Sequence, residues 1–408
     1  MNRLAGSQQP GQWTGLAFGS LGLALGTAPA ALQPVWVQAL QGMGFTATHA
    51  GLIATAELLA VTVAAVLFSL RPLAPRVSTI APLVMLQALA LVLSHQAATA
   101  GLIGARILAG TAAGALLAQA AALLATSARP GWSFGCATFV GACLTAAISV
   151  GQEALAQRAG ALTSQAAPAA AWLALPALAW CMRHGLAPPS AQLGPSRGAD
   201  AASAASGDAV RSRSVLLCAC IFAWFLAQGV YWPFVQPTLV RAGVPPSDTA
   251  DWVAVGLLAG MPGALISASL GRLVGTAQTR LALGALLVMA MAAGATVLLP
   301  RPWAAIGGVV LYNVAYFAAL PGLMRRASDL DGRGRLSGLL SALSLLGMAC
   351  GPWIGGWVLD HSGSPALGLS SAALTVLAAL LGAAAARSAR SSSPPLAPAA
   401  PMAPSRRH

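Results

Sequence analysis

Lysine is absent from this chain of 408 residues, and acids are scarce: nine in all, only two of them glutamate. Charged residues make up 8% of the sequence, against roughly a quarter in a soluble domain. Too little polar surface remains to cover a folded chain in water, which excludes an ordinary soluble protein. The six cysteines, Cys136, Cys143, Cys181, Cys218, Cys220 and Cys350, form no C-x-x-C pair. Cys218 and Cys220, two apart, point to different sides of a helix. A zinc framework and a disulfide scaffold are therefore not expected, and no metal is assigned. A phosphate-binding P-loop, an H-E-x-x-H and a catalytic triad are missing too. An ATP-driven mechanism, an enzyme and a bound cofactor are accordingly not expected.

What is present is apolar: 57% of the residues are hydrophobic. The net charge of +13 comes from arginines dispersed in short loops, so it does not make a nucleic-acid surface. A lipid bilayer is the expected solvent. Its core of ~30 Å needs about 20 apolar helical residues per crossing. Twelve such runs are read, near 14–37, 47–70, 77–94, 100–126, 132–155, 166–183, 214–238, 250–270, 281–300, 303–324, 337–358 and 366–386. The N-terminal "MNRLAGSQQPGQW" lacks the pattern of a cleaved signal, and the first run is read as an uncleaved span.

The arginines give orientation. With the N-terminus in the cytoplasm, alternating spans place eighteen arginines on the cytoplasmic side and three, Arg158, Arg241 and Arg301, opposite. Both termini are therefore expected in the cytoplasm. The stretch 184–213, rich in Ala, Ser, Gly and Pro, reads as a linker between two six-span halves, 1–183 and 214–386. Residues 387–408 read as a disordered tail. The halves echo each other: "QPVWVQA" from Gln33 and "QPTLVRA" from Gln236 both fit Q-P-x-x-V-x-A, 203 residues apart. Paired repeats are common in transporters. The fold class is thus an all-α polytopic membrane protein of twelve transmembrane helices in two pseudo-symmetric halves.

Ionisable side chains within the spans are few, and in lipid they are functional suspects by default. Glu57 sits near the middle of span 2, Arg106 in the outer half of span 4, and Glu153 at the outer end of span 5, an interfacial position. At 1.5 Å per residue Glu57 lies ~14 Å below the outer boundary and Arg106 ~9 Å. The difference is about one helical turn, so two long side chains on neighbouring helices could meet. Losing water favours the neutral acid, while a nearby arginine favours the ionised one. Such a pair can couple a proton to a substrate, or can simply hold two spans together. Trp36, Trp132, Trp252 and Trp303 read as interfacial belt residues. His49 and His361, at outer span ends, read as loop histidines.

In layout and in two local motifs the chain resembles the major facilitator superfamily over nearly its whole length. Span 4 reads "ARILAGTAAGA", with Gly110 four residues after Arg106, similar to that family's span-4 pattern. Span 11 reads "GMACGPWIGG", with Gly347, Gly351, Pro352, Gly355 and Gly356 at the spacing of the glycine-proline motif of the family's drug/proton antiporters. There the motif belongs to span 5, the equivalent span under the repeat, and span 5 here lacks it. The loop between spans 2 and 3, "SLRPLAPRVST", keeps Arg71 and Arg76 but not the family's aspartate. A cytoplasmic charge latch is open instead to "DLDGRGR", which is equally a solvated loop.

The resemblance implies that spans 1, 4, 7 and 10 line a central cavity. It thereby marks Gln33, Gln119, Gln228, Tyr231, Trp232, Gln236, Tyr312, Asn313 and Tyr316 as cavity candidates. It also implies that the glycine stripe Gly347–Gly351–Gly355 faces span 2 as a sliding seam between the halves, beyond its plain role in close helix packing. The expected function is a secondary transporter, a monomer in a bacterial inner membrane, moving a small organic solute by alternating access with protons as the coupling ion. The alternative is a non-transporting membrane sensor or assembly protein on the same fold.

Overall fold

The computed structural model describes residues 10–70, 77–94, 99–125, 130–159, 207–271, 275–299, 301–330 and 335–387. Every span expected from the sequence except the sixth falls within them, apart from residues 126 and 300 at the ends of spans 4 and 9; span 6, the 184–206 part of the linker and the 388–408 tail lie outside the described residues. No strand occurs among the described residues. Among the described residues seven helices are long and apolar enough to cross a membrane, and two shorter apolar ones, Ile80–Leu93 and Gly135–Gly151, accompany them.

Span 1 is two helices, Pro10–Ala31 and Gln33–Gly42. Spans 2, 3, 4 and 5 are Ala47–Leu70, Val77–Leu93, Thr99–Ala125 and Pro130–Ala159. Span 7 begins at Gly207, ahead of the start expected at Ser214, so the last part of the linker stretch is helical. It runs to Tyr231 and continues through a single 3-10 turn, Trp232–Phe234, into the short helix Val235–Arg241. Spans 8, 9 and 10 are Thr249–Gly271, Gly275–Leu298 and Pro302–Leu330. Spans 11 and 12 form one helical stretch, Arg335–Arg387, interrupted at Gly363, whose φ of 78° few other residues adopt. The chain reverses there. Gly347 to Gly355 climb along span 7, while Gly368 and then Gly382 descend along span 9.

The repeated Q-P-x-x-V-x-A motif acquires a structural meaning. In both halves it lies at the start of a short outer helix that follows a break in the span. A proline at this point lacks the N–H that would continue the ladder. Both outer helices end alike. Gly44 and Gly243, each at φ 90°, donate to Gln41 and Val240, and the next residues, Phe45 and Val244, donate to Leu40 and Leu239. This is a double-bonded glycine terminus, and it selects glycine because only glycine takes that φ cheaply. The second of these helices is about one turn shorter. The 3-10 turn Pro246–Asp248 then leads into span 8.

Among the described residues, burial divides into three apolar clusters. One lies within spans 1–5, around Leu25, Leu32, Val84, Leu91 and Leu116. A larger one fills spans 7–12, around Trp224, Val235, Leu286, Met289 and Tyr312. The third joins the halves near the outer side: Val37, Leu40, Ile53 and Leu102 meet Val230, Phe234 and Leu359.

Candidate functional site

Arg106 and Glu57 are brought together. Arg106 Nη1 lies 3.1 Å from Glu57 Oε1, and both residues are 2% exposed. The motif read in span 4 explains how. Gly110 and Gly114, one and two turns below Arg106, rest on the carbonyls of Glu57 and Val61 in span 2. Side chains at those two places would hold the backbones apart. Glycine lets span 4 approach until the arginine of the same stripe reaches the acid.

Trp36 completes this centre. It is buried, not at an interfacial belt as expected, and its ring covers Arg106 with Cζ 3.5 Å from the centroid. A desolvated cation over a tryptophan face is worth about 2 kcal/mol or more. Belt statistics hid this residue; the Pro34 break in span 1, which sets where the outer helix lies, was the available signal. Gln33 is buried beside the Glu57 carboxyl, short of hydrogen-bond geometry.

Gln87 of span 3 is a second residue that sequence reasoning passed over. Pro29 has no N–H to give the carbonyl of Leu25, and Gln87 Nε2 donates to that carbonyl at 3.3 Å. A cavity of about 10 Å³, room for roughly one water, lies among Pro29, Trp36, Glu57, Gln87, Leu91 and Arg106. On two of these residues, Arg106 Nε and Gln87 Oε1 are buried without a hydrogen-bond partner. The centre thus belongs to the first half alone, lined by spans 1–4.

The cavity candidates of the second half sit mostly inside its core. Tyr231 and Tyr312 are fully buried with ring centroids 4.9 Å apart, and Tyr231 donates to Thr296 Oγ1 of span 9 at 2.8 Å. Asn313 is buried and donates to its own helix at Val309 O. Tyr316 is half-buried among Trp224, Phe225 and Phe317. Gln119, Gln228 and Gln236 are buried as well. Trp232 reaches across the halves: its Nε1 donates at 3.2 Å to the carbonyl of Ala31, at the break in span 1. Trp252 and Trp303 pack edge to face, with Trp303 exposed at the outer end.

The glycine stripe of span 11 faces differently from the expectation. Gly347, Gly351 and Gly355 lie against Phe222, Gly229 and Val230 of span 7, within the same half. The carbonyl of Met348, which Pro352 leaves without its helical partner, rests on Gly229. The face toward span 2 is the adjoining one. Pro352 O lies on Gly51, Gly356 lies on Ala47 O, and Trp353 N–H donates to Thr55 Oγ1 at 3.0 Å. The seam between halves therefore uses Pro352 and Gly356, while Gly347, Gly351 and Gly355 close the second half upon itself.

At the outer end of this seam Asp360 accepts from Ala47 N at 3.2 Å, from Thr48 N at 2.7 Å and from Thr48 Oγ1 at 2.6 Å. Partial burial works to raise its pKa, but these bonds outweigh it and hold the carboxyl below the usual aspartate range. The carboxylate is charged at neutral pH.

These features define a class: a helical membrane bundle of two like halves, with a buried ion pair in one and a close seam between them. The chain has the fold of the major facilitator superfamily transporters. Solved structures similar to it include a bacterial homologue of the human lysosomal transporter Spinster, inward-facing and occupied, with TM-score 0.67 and 16% identity over 94% of this chain and 98% of that one. The xylose transporter XylE from E. coli, partially occluded and inward open, gives TM-score 0.66 and 14% identity over 90% and 96%. A D-xylose-proton symporter gives 0.64 and 15% over 91% and 95%. At such identities the likeness carries the fold alone. No family model matches the sequence, and no curated protein matches it.

Proposed function

We propose that this protein is a secondary active transporter that moves a small organic solute by alternating access, with protons as the coupling ion. The observation that carries the reading is the buried Glu57–Arg106 pair on a transporter fold. An acid and a base sealed from water are expensive, and a purely structural bundle needs neither. Glu57 is the proton carrier in this reading. While Arg106 holds it, the carboxyl is paired. A solute that draws on Arg106 frees Glu57 to take a proton, so solute and proton move together. The neighbouring D-xylose-proton symporter gives a precedent for proton coupling on this fold. The apolar and aromatic surroundings favour an amphipathic or weakly charged solute. The membrane is the bacterial inner membrane, with both termini cytoplasmic and the chain a monomer.

The test is flux in proteoliposomes under an imposed pH gradient, against a panel of organic acids and cationic dyes. Gradient-driven accumulation of one of them supports the reading. A well-folded protein that moves none, and whose internal pH does not respond to any, favours the sensor or assembly alternative.

A further inference from the structure

The first turn of span 2 is capped from both halves. A helix begins with amides that have no partner of their own. Here His49 N–H is taken by Thr46 Oγ1 at 3.2 Å, and Ala50 N–H by Thr46 O at 3.0 Å, both local. Ala47 and Thr48 amides go instead to Asp360, more than 300 residues later and on the other half. The Thr48 hydroxyl joins them on the same carboxylate. A negative charge at a helix N-terminus is favourable, and hydrogen bonds to an ionised acceptor are the stronger kind.

The register beneath makes this a built contact. Pro352, Gly356 and Asp360 follow at intervals of four on span 11, one row on the helix surface. They meet Gly51, Ala47 and Thr48 on span 2. Glycine at 51 and at 356 brings the backbones close enough for a short acid to reach the two amides. Drawing the outer ends apart removes the charged acceptor from both amides and the hydroxyl at once.

We propose that Asp360 is a latch between the halves: by capping span 2 from span 11 it holds the outer side closed and sets how often that side opens. The proposal rests on the alternating-access reading, not on proton coupling or on the solute. Its second consequence is mechanical. The latched helix is the one that carries Glu57, ten residues below Ala47, so the gate and the ion pair share one rigid element.

The experiment is a distance measurement on the full-length protein in lipid nanodiscs, with the native cysteines replaced. Spin labels are placed at Met43→Cys and Ser247→Cys, two exposed outer positions, one in each half. The parent gives mainly the short, outer-closed distance. Asp360→Ala should raise the ratio of long to short distances about tenfold, equivalent to about 1.4 kcal/mol. Asp360→Asn, which loses the charge but keeps an oxygen, should raise it less, and Thr48→Val less again. Gly51→Leu, which wedges the seam directly, should give the long distance whatever the latch does. Lengthening in Gly51→Leu with none in folded Asp360→Ala or Asp360→Asn overturns the latch. If Asp360→Ala does not fold, Asp360→Asn and Thr48→Val decide by the same measure. A single distance in every variant, Gly51→Leu included, overturns alternating access and the latch with it.

Discussion

Glu57 and Arg106 were legible from the sequence because charge in a lipid-solvated span is rare, and the helical rise put them within about one turn of each other in depth. Two predictions attach to them. Glu57→Gln keeps the shape of the side chain and removes its charge and its proton. It should fold, bind solute and keep exchange, yet lose accumulation driven by a pH gradient; full accumulation by the folded variant would remove Glu57 as proton carrier. Arg106→Met leaves a buried acid unpaired, a change that costs about 3–5 kcal/mol when the acid stays ionised. Its melting temperature in detergent should fall clearly, and Glu57→Gln on the same background should restore most of it. Trp36 and Gln87 were not legible. One takes its meaning from a cation on another span, the other from a carbonyl that Pro29 leaves free, and no local pattern encodes either partner.

The glycine-proline run of span 11 shows how far a motif reads at the level of one helix. Close packing and a proline-broken ladder followed from the residues; the neighbour did not. Successive residues of a helix are about 100° apart, so the face toward span 7 and the face toward span 2 differ by a single position, Gly355 against Gly356. The two faces predict different defects. Gly351→Leu drives a side chain into the backbone of Gly229 and Val230. Overpacking of this kind costs about 1–3 kcal/mol, and it should appear as lower yield and melting temperature, since it opens one half internally. Gly51→Leu meets Pro352 across the seam, so it should leave each half intact and shift the balance toward outer-open. Thermal unfolding and inter-half distances, measured side by side, separate the two.

At the level of the whole chain, the arginine bias and the six-plus-six layout predict topology. Reporter fusions at Ser206 and at the C-terminus should behave as cytoplasmic, and one at Ser247 as external; an external C-terminus would overturn the twelve-span count. The contacts described between the halves gather toward the outer side: Trp232 with Ala31, Thr55 with Trp353, and Asp360 with Ala47 and Thr48.

The sequence by itself determined the apolar solvent, the spans that the described residues cover and the repeat, because each depends on composition or on periodicity along one helix. It also singled out the acid and the base, since charge in lipid needs a reason wherever it falls. Only the tertiary structure decided which helix each face meets. It put Trp36 over Arg106, turned the glycine stripe toward span 7, and gave Asp360, at the outer end of span 11, two amides to cap. Those pairings join residues on different helices, up to 313 positions apart for Ala47 and Asp360, and their geometry is set by how rigid helices dock, which no single helix records.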